Sequence, residues 1–123
     1  MSIIESILKT NQVKQWEIWN CELPKRYDTS IQSGERPVLV YSNNLCNTHS
    51  PIITIIPLTS QEKKYLPTHL KVNGFGLLLE STMMAEQIQP IEKKWLKDRI
   101  GKIAEHEWQQ KIHKIVDVQC GRN

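Results

Sequence analysis

Residues 32–61 read QSGERPVLVYSNNLCNTHSPIITIIPLTSQ, with two apolar runs on either side of a polar segment. The runs, residues 38–41 and 52–58, are rich in branched side chains and are bounded by Gly, Pro and Asn, which predicts two β-strands. If the strands pair antiparallel, the start of the first and the end of the second lie at the same side of the sheet. Arg36 opens the first strand and Thr59 closes the second, so that side of the sheet is a candidate site.

Shorter patterns before and after this stretch extend the sheet. Apolar and polar residues alternate along residues 15–23, which predicts a strand. We expect Glu17, Asn20 and Glu22 on its exposed face. Further strands are predicted, in chain order, at residues 68–72, 77–81, 84–91 and 97–103, with one helical turn at 92–96. Short strands joined by turns, without long helices between them, indicate a mainly β fold built as a small antiparallel barrel.

Two helices are predicted beside the barrel. From residue 104 on, Trp108, Ile112 and Ile115 follow the 3.6-residue period, which indicates a C-terminal amphipathic helix. Apolar residues at helical spacing also predict a short helix in an N-terminal extension of residues 1–13. That helix either packs on its own domain or serves as an arm that binds a partner.

Length and charge narrow the class of protein. With 123 residues the chain is expected to form a single domain, residues 1–123. Its 16 basic and 13 acidic residues leave a net charge of +3, which permits a polyanionic partner without demanding one. No apolar run approaches the roughly 20 residues of a membrane span, and the N-terminus lacks the basic start of a signal peptide. We therefore expect a cytoplasmic protein that does not bind a membrane.

Metal and nucleotide chemistry have little support in the sequence. Cys21, Cys46 and Cys120 lie far apart without metal-ligand spacing, so we interpret them as reduced structural thiols. His106 and His113 share a face of the last helix but have no further ligand nearby, and we expect both to be solvated. No Gly-rich phosphate loop and no Gly-x-Ser-x-Gly motif occurs. We expect neither a metal nor a cofactor.

Arg36 and Thr59 suit phosphate chemistry. A guanidinium is a planar, permanently charged donor that matches phosphate oxygens, and a threonine hydroxyl donates one further hydrogen bond. On RNA the 2′-hydroxyl is an internal nucleophile, so cleavage needs positioning, charge stabilisation and proton transfer. The polar loop before Arg36, from about residue 25, is placed to close over such a ligand. The alternative is structural: Arg36 forms an ion pair with Glu17 or Glu86, and Thr59 merely ends a strand.

Several motifs, in order, resemble the MazF/PemK family of toxins, most closely its Gram-positive branch. They are Gln32-Ser33-Gly34-Glu35-Arg36-Pro37-Val38-Leu39-Val40, Pro57-Leu58-Thr59-Ser60-Gln61, Leu66-Pro67-Thr68-His69, Glu86-Gln87-Ile88 and Arg99-Ile100-Gly101-Lys102-Ile103. The resemblance implies an SH3-like barrel of the MazF/PemK/CcdB toxin type, usually a homodimer, encoded beside an antitoxin. It further implies a metal-independent, sequence-specific endoribonuclease that cuts single-stranded mRNA to 2′,3′-cyclic phosphate and 5′-hydroxyl ends.

The resemblance also assigns residues. The family's catalytic arginine and threonine fall on Arg36 and Thr59. Its motifs, together with a basic loop whose tyrosine can stack on an unpaired base, predict an RNA-binding set: Ser30, Gln32, Ser60, Gln61, Lys63, Lys64, Tyr65, Glu86 and Gln87. His69 lies inside one motif, and a structural hydrogen bond is favoured over an acid–base role.

The chain departs from the family pattern at two positions. Trp16 stands where the family usually has glycine, and Gln89 stands where many relatives have arginine, which removes a positive charge near the expected groove. Two alternatives to the nuclease therefore stay open. One is a toxin of the same fold that poisons DNA gyrase by protein binding. The other is a catalytically inactive relative that binds RNA or antitoxin.

Overall fold

The computed structural model describes Ile3 and residues 12–121, and the predicted N-terminal helical extension lies outside these residues apart from positions 3, 12 and 13. In chain order the elements are β1 (Glu17–Leu23), β2 (Gly34–Val40), α1 (Asn44–His49), β3 (Ile52–Thr59), β4 (His69–Val72), β5 (Ser81–Met84), β6 (Gln89–Glu92), β7 (Leu96–Lys102) and α2 (His106–Cys120). Single 3-10 turns cover Ala85–Gln87 and Lys93–Trp95. Within the described range, no helix is long and apolar enough to cross a membrane.

The strands form an antiparallel sheet in the order β4-β5-β3-β2-β1-β7. Strand β6 lies off this path and pairs with the first half of β3. The two apolar runs pair as predicted, with Val38 opposite Pro57 and Val40 opposite Ile55. The prediction of a mainly β fold with a C-terminal helix is therefore confirmed.

Both faces of the central strands are buried, which explains why their sequences are apolar without interruption. Along β3, Ile53 and Ile55 belong to one hydrophobic cluster, whereas Ile56 and Leu58 belong to the other. This division follows the alternation of side chains along a strand. Helix α2 packs on the cluster of Ile56 and Leu58 through Ile112, Ile115 and Val116, and the first two of these are among the residues whose spacing predicted the helix.

Two glycines allow the β4–β5 connection to pack against β7. A Cβ atom on Gly76 would overlap the backbone carbonyl of Ile100, and one on Gly101 would overlap that of Phe75. Gly76 also has a φ of +86°, a conformation that favours glycine. The two backbone segments can approach this closely only because neither glycine carries a side chain.

Some predicted elements are wrong in detail. Residues 84–91 do not form one strand, because β3 pairs with β5 near its end and with β6 near its start, and the chain must bend between them. The polar segment between the two apolar runs contains helix α1, which was not predicted, and the first turn of this helix is capped by the Asn43 side chain accepting from the Cys46 amide at 3.0 Å. The run at 77–80 forms no strand, and β5 begins only at Ser81.

Three predicted side-chain environments also need correction. Glu17 is 2% exposed, not solvated, and accepts hydrogen bonds from Arg99 at 2.8 Å and from the Trp19 indole at 3.1 Å. His113 is half-buried, with Nδ1 lying 2.6 Å from the Tyr41 hydroxyl. Cys21, Cys46 and Cys120 are free, as expected, but Cys46 and Cys120 are exposed, so that of the three only Cys21 is a buried structural thiol. Burial, helped by the neighbouring Glu22 carboxylate, raises the pKa of the Cys21 thiol to about 12.

Candidate functional site

Arg36 and Thr59 lie on the same side of the sheet. Continued by two residues beyond Val38 and Pro57, the antiparallel register of β2 and β3 sets Arg36 across from Thr59. Both residues line a hollow of about 180 Å³, together with Glu35, Ser60 and Gln61. The juxtaposition predicted from the two apolar runs is therefore present.

The Arg36 guanidinium is held by its own loop. Its Nε and Nη2 atoms donate to the Ser33 carbonyl at 3.1 and 2.9 Å, which uses one edge of the planar group. Burial lowers the pKa of Arg36, although a guanidinium remains charged at neutral pH. The ion pair of Arg36 with Glu17 or Glu86, one part of the structural alternative, is not formed, because Glu17 pairs with Arg99 and Glu86 pairs with His69. The remaining guanidinium donors have no partner among residues 12–121 and are available to a ligand.

The Thr59 hydroxyl is oriented by the backbone that follows it. Its side chain is buried, and Oγ1 accepts a hydrogen bond from the Gln61 amide at 3.2 Å. Among the residues that the structure describes, no acceptor is found for the hydroxyl hydrogen. A group inside the hollow would therefore meet a free donor from Thr59 beside the cation of Arg36.

A second hollow, of about 240 Å³, is lined by most of the other residues that were predicted to bind RNA. Its lining includes Ser30, Gln32, Lys63, Lys64, Glu86 and Gln87. Ser60 and Gln61 belong to the first hollow, whereas Tyr65 lines neither and is 77% exposed. The loop between β1 and β2 links the two hollows, because the Gln32 amide donates to Gln87 Oε1 at 3.1 Å and the next residue, Ser33, holds Arg36.

Glu86 contributes a negative charge to the second hollow. Its carboxylate accepts from the Thr68 hydroxyl at 2.7 Å and lies 2.8 Å from His69 Nε2. Burial acts to raise the pKa of Glu86, but the hydrogen bonds from His69 and Thr68 outweigh it, and the pKa is lowered. The contact with His69 is the structural hydrogen bond that the sequence analysis favoured.

The structure adds two residues that the sequence did not reveal. Glu35 lines the hollow of Arg36 and lies 3.5 Å from Lys97 Nζ. Side chains of neighbouring residues in a strand point to opposite faces of the sheet. Because Glu35 directly precedes Arg36, this alternation predicted that the two side chains would not share a site. Arg26, in the β1–β2 loop, reaches across to Gln89. No local pattern indicates this contact, since the two residues are 63 positions apart.

Comparison with known proteins identifies the family of the chain. Residues 14–118 match the family model described as "PemK-like, MazF-like toxin of type II toxin-antitoxin system". The chain belongs to this family. The matched range contains Arg36, Thr59 and both hollows, so the resemblance inferred from short motifs is confirmed across most of the chain.

Relatives with similar sequences carry enzyme names. One is "Endoribonuclease EndoA" of Bacillus subtilis (strain 168), 39% identical over 74 residues, or 58% of this chain and 64% of the relative. That alignment spans less than two thirds of the relative's length. Another is "Endoribonuclease MazF" of Staphylococcus epidermidis, 29% identical over 97 residues, or 76% of this chain and 80% of the relative.

Solved structures share the fold. One, described as "Endoribonuclease in complex with its cognate antitoxin from Mycobacterial species", superposes with a TM-score of 0.74 at 22% identity. The superposition covers 90% of this chain and 97% of that one. MazF (Form-I) from Deinococcus radiodurans gives a TM-score of 0.75 at 15% identity and covers 89% and 96%. At these identities the likeness supports the fold, which is that of MazF toxins.

Proposed function

We propose that this family member is a metal-independent, sequence-specific endoribonuclease that cleaves single-stranded mRNA. The observation that carries the proposal is the shared hollow of Arg36 and Thr59, in which a fixed cation and a free hydroxyl donor face the same space. A cation and a hydroxyl donor in this arrangement can both bind the oxygens of one phosphate. A gyrase poison or an inactive binding relative has no need of it.

The reaction that fits is an internal transfer within RNA. The 2′-oxygen forms a bond to the adjacent phosphorus and the bond from phosphorus to the 5′-oxygen breaks. The 2′-hydroxyl gives up its proton and the leaving 5′-oxygen gains one, which yields 2′,3′-cyclic phosphate and 5′-hydroxyl ends. Charge builds on the non-bridging oxygens in the transition state, and Arg36 stabilises it there while Thr59 donates to the reacting phosphate. The nucleophile belongs to the substrate, so positioning supplies much of the catalysis.

RNA binding is assigned to the surroundings of both hollows. Lys63 and Lys64 supply the positive charge that attracts the phosphate backbone, and Gln32 and Gln87 supply donors and acceptors for base edges. Ser30, Ser60, Gln61 and Glu86 complete the polar lining, and Tyr65 offers an exposed ring on which a base can stack. The loop from about Lys25 to Glu35 closes over the bound strand.

We further propose that the chain forms a homodimer in the cytoplasm and is held inactive by a cognate antitoxin protein. The similar mycobacterial endoribonuclease is described in complex with its cognate antitoxin, which supports the antitoxin partner.

The test is incubation of the purified protein with a long single-stranded RNA in excess EDTA, beside Arg36→Ala and Thr59→Ala. Discrete fragments from the wild type alone, ending in cyclic phosphate, would support the proposal and place both residues in the reaction. Intact RNA in the presence of folded wild-type protein would overturn it. Inhibition of DNA gyrase and plain RNA binding would then be measured.

A further inference from the structure

Arg26 brings a positive charge to the position where the sequence analysis expected one to be missing. Its Nη2 atom donates to Gln89 Oε1 at 3.3 Å, and its Nη1 atom donates to the Gln32 carbonyl at 3.4 Å. Both contacts are long for an N–H···O hydrogen bond. The guanidinium is therefore placed beside Gln89 without being firmly bound there.

The charge of Arg26 is not neutralised within the described part of the chain. No carboxylate pairs with it in that range, and its two acceptors are neutral amide and peptide oxygens. A guanidinium has five N–H donors, and these two contacts leave most of them available. The half-buried side chain is thus a cation that lacks an anion.

Arg26 is one of the residues that line a hollow of about 230 Å³. Apolar side chains from Ile31, Ile88 and Pro90 form part of its lining, and the amides of Gln87 and Gln89 form another part. Glu86 also lines this hollow, but its carboxylate is engaged by Thr68 and His69. An apolar surface beside a cation that has no anionic partner among the described residues matches the base and the phosphate of one nucleotide.

This hollow continues the RNA groove proposed above. It shares Glu86 and Gln87 with the hollow that contains Lys63 and Lys64. The loop that carries Arg26 is fastened at this boundary, since the Gln87 side chain donates to the Ser30 carbonyl at 3.0 Å and accepts from the Gln32 amide at 3.1 Å. An RNA strand lying over Gln87 would therefore pass directly to Arg26.

We propose that Arg26 binds a backbone phosphate of the RNA in a nucleotide subsite beside Gln89, an inference that rests on the ribonuclease function proposed above. Arg26 acts as a binding and positioning residue and does not line the hollow of Arg36 and Thr59. It extends the protein's contact with RNA by one nucleotide beyond the hollow of the two lysines.

The test compares four proteins that share a Thr59→Val substitution, which is chosen to slow cleavage during the measurement. One carries no further change, and the others carry Arg26→Gln, Lys114→Gln, or Arg26→Gln together with Gln89→Arg. Lys114→Gln is the matched control, because it removes one positive charge from an exposed residue that lines none of the three hollows. Affinity for a labelled single-stranded RNA is measured in EDTA over a range of salt concentrations, and thermal unfolding checks that each variant is folded.

Arg26→Gln should weaken RNA binding about tenfold, the usual effect of losing a charged hydrogen bond. It should also reduce the slope of log K against log salt by about 0.7, the value for one phosphate contact on a single strand. Lys114→Gln should change the affinity and the salt slope far less, and Gln89→Arg should restore most of the affinity lost in Arg26→Gln.

Equal affinities and salt slopes for Arg26→Gln and Lys114→Gln, with RNA still bound and wild type still cleaving, would overturn this inference alone. A wild-type protein that neither binds nor cleaves RNA would overturn the proposed function, and this inference with it.

Discussion

The hydroxyl of Tyr41 lies 2.6 Å from Nδ1 of His113, and this contact fastens helix α2 to the end of strand β2. The two rings also meet edge to face, with centroids 5.5 Å apart. We expect Tyr41→Phe to lower the free energy of unfolding by about 1 kcal/mol, because it removes the hydrogen bond and keeps the ring. Chemical denaturation would measure this, with Tyr65→Phe as the control, since Tyr65 is exposed. Equal stability of Tyr41→Phe and wild type would contradict the assigned role.

Trp16 has a φ of +74°, in the region that favours glycine, at the position where the family usually has that residue. Its ring packs against the rings of Tyr41 and His113, with centroids 5.8 and 5.1 Å away. These ring contacts offset the backbone strain of a tryptophan at this position. Both Trp16→Gly and Trp16→Ala lose the ring contacts, but only alanine keeps the strain. We expect the glycine variant to be more stable than the alanine variant by about 1 kcal/mol.

Asp98 provides the comparison for Trp16, because it is exposed in β7 and lacks a positive φ. There alanine should be more stable than glycine by about 0.5–1 kcal/mol, the usual order in a strand. Denaturant unfolding of the four variants would measure both differences. The same order at both positions would show that the Trp16 backbone is not strained.

Thr59→Val and Thr59→Ser distinguish the effect of the Thr59 hydroxyl from the effect of the side-chain volume. Valine keeps the volume of the buried side chain and removes the donor, whereas serine keeps the donor. If the hydroxyl stabilises the transition state, Thr59→Val should lower kcat by about 10²- to 10³-fold, the effect of losing one such donor. Thr59→Ser should retain much more activity. Single-turnover cleavage of an RNA in EDTA would measure both, and similar rates for the two variants would refute the role.

The Glu86 carboxylate predicts a dependence of stability on acid pH. Its pKa is lowered in the folded protein from the ordinary 4.5, so its stabilising effect is complete above that value and is lost as the pH falls through the lowered pKa. Glu86→Gln lacks this titration. The difference in unfolding free energy between wild type and Glu86→Gln should therefore shrink between about pH 5 and pH 2. Denaturant unfolding across this range would measure it, and a constant difference would contradict the lowered pKa.

Much of the fold was predictable because strand patterns are local. Uninterrupted branched runs at β2 and β3 indicated buried strands, and the antiparallel pairing of neighbours in the chain brought Arg36 and Thr59 together without further information. The helix at the C-terminus was equally visible, since its apolar face repeats every 3.6 residues.

Contacts between distant parts of the chain were not predictable in the same way. Arg99 is 82 residues from Glu17 in the chain, and its guanidinium donates a hydrogen bond to the buried Glu17 carboxylate. Strand alternation had predicted that this carboxylate would be exposed. The approach of Arg26 to Gln89 likewise depends on how the β1–β2 loop settles against the turn after β5. Sequence alone was enough for strands β2 and β3 and for the Arg36–Thr59 pair, because both follow from the pattern of apolar residues and from the pairing of adjacent strands. The tertiary structure decided which charges are neutralised and which are left free, because that depends on side chains brought together from remote segments.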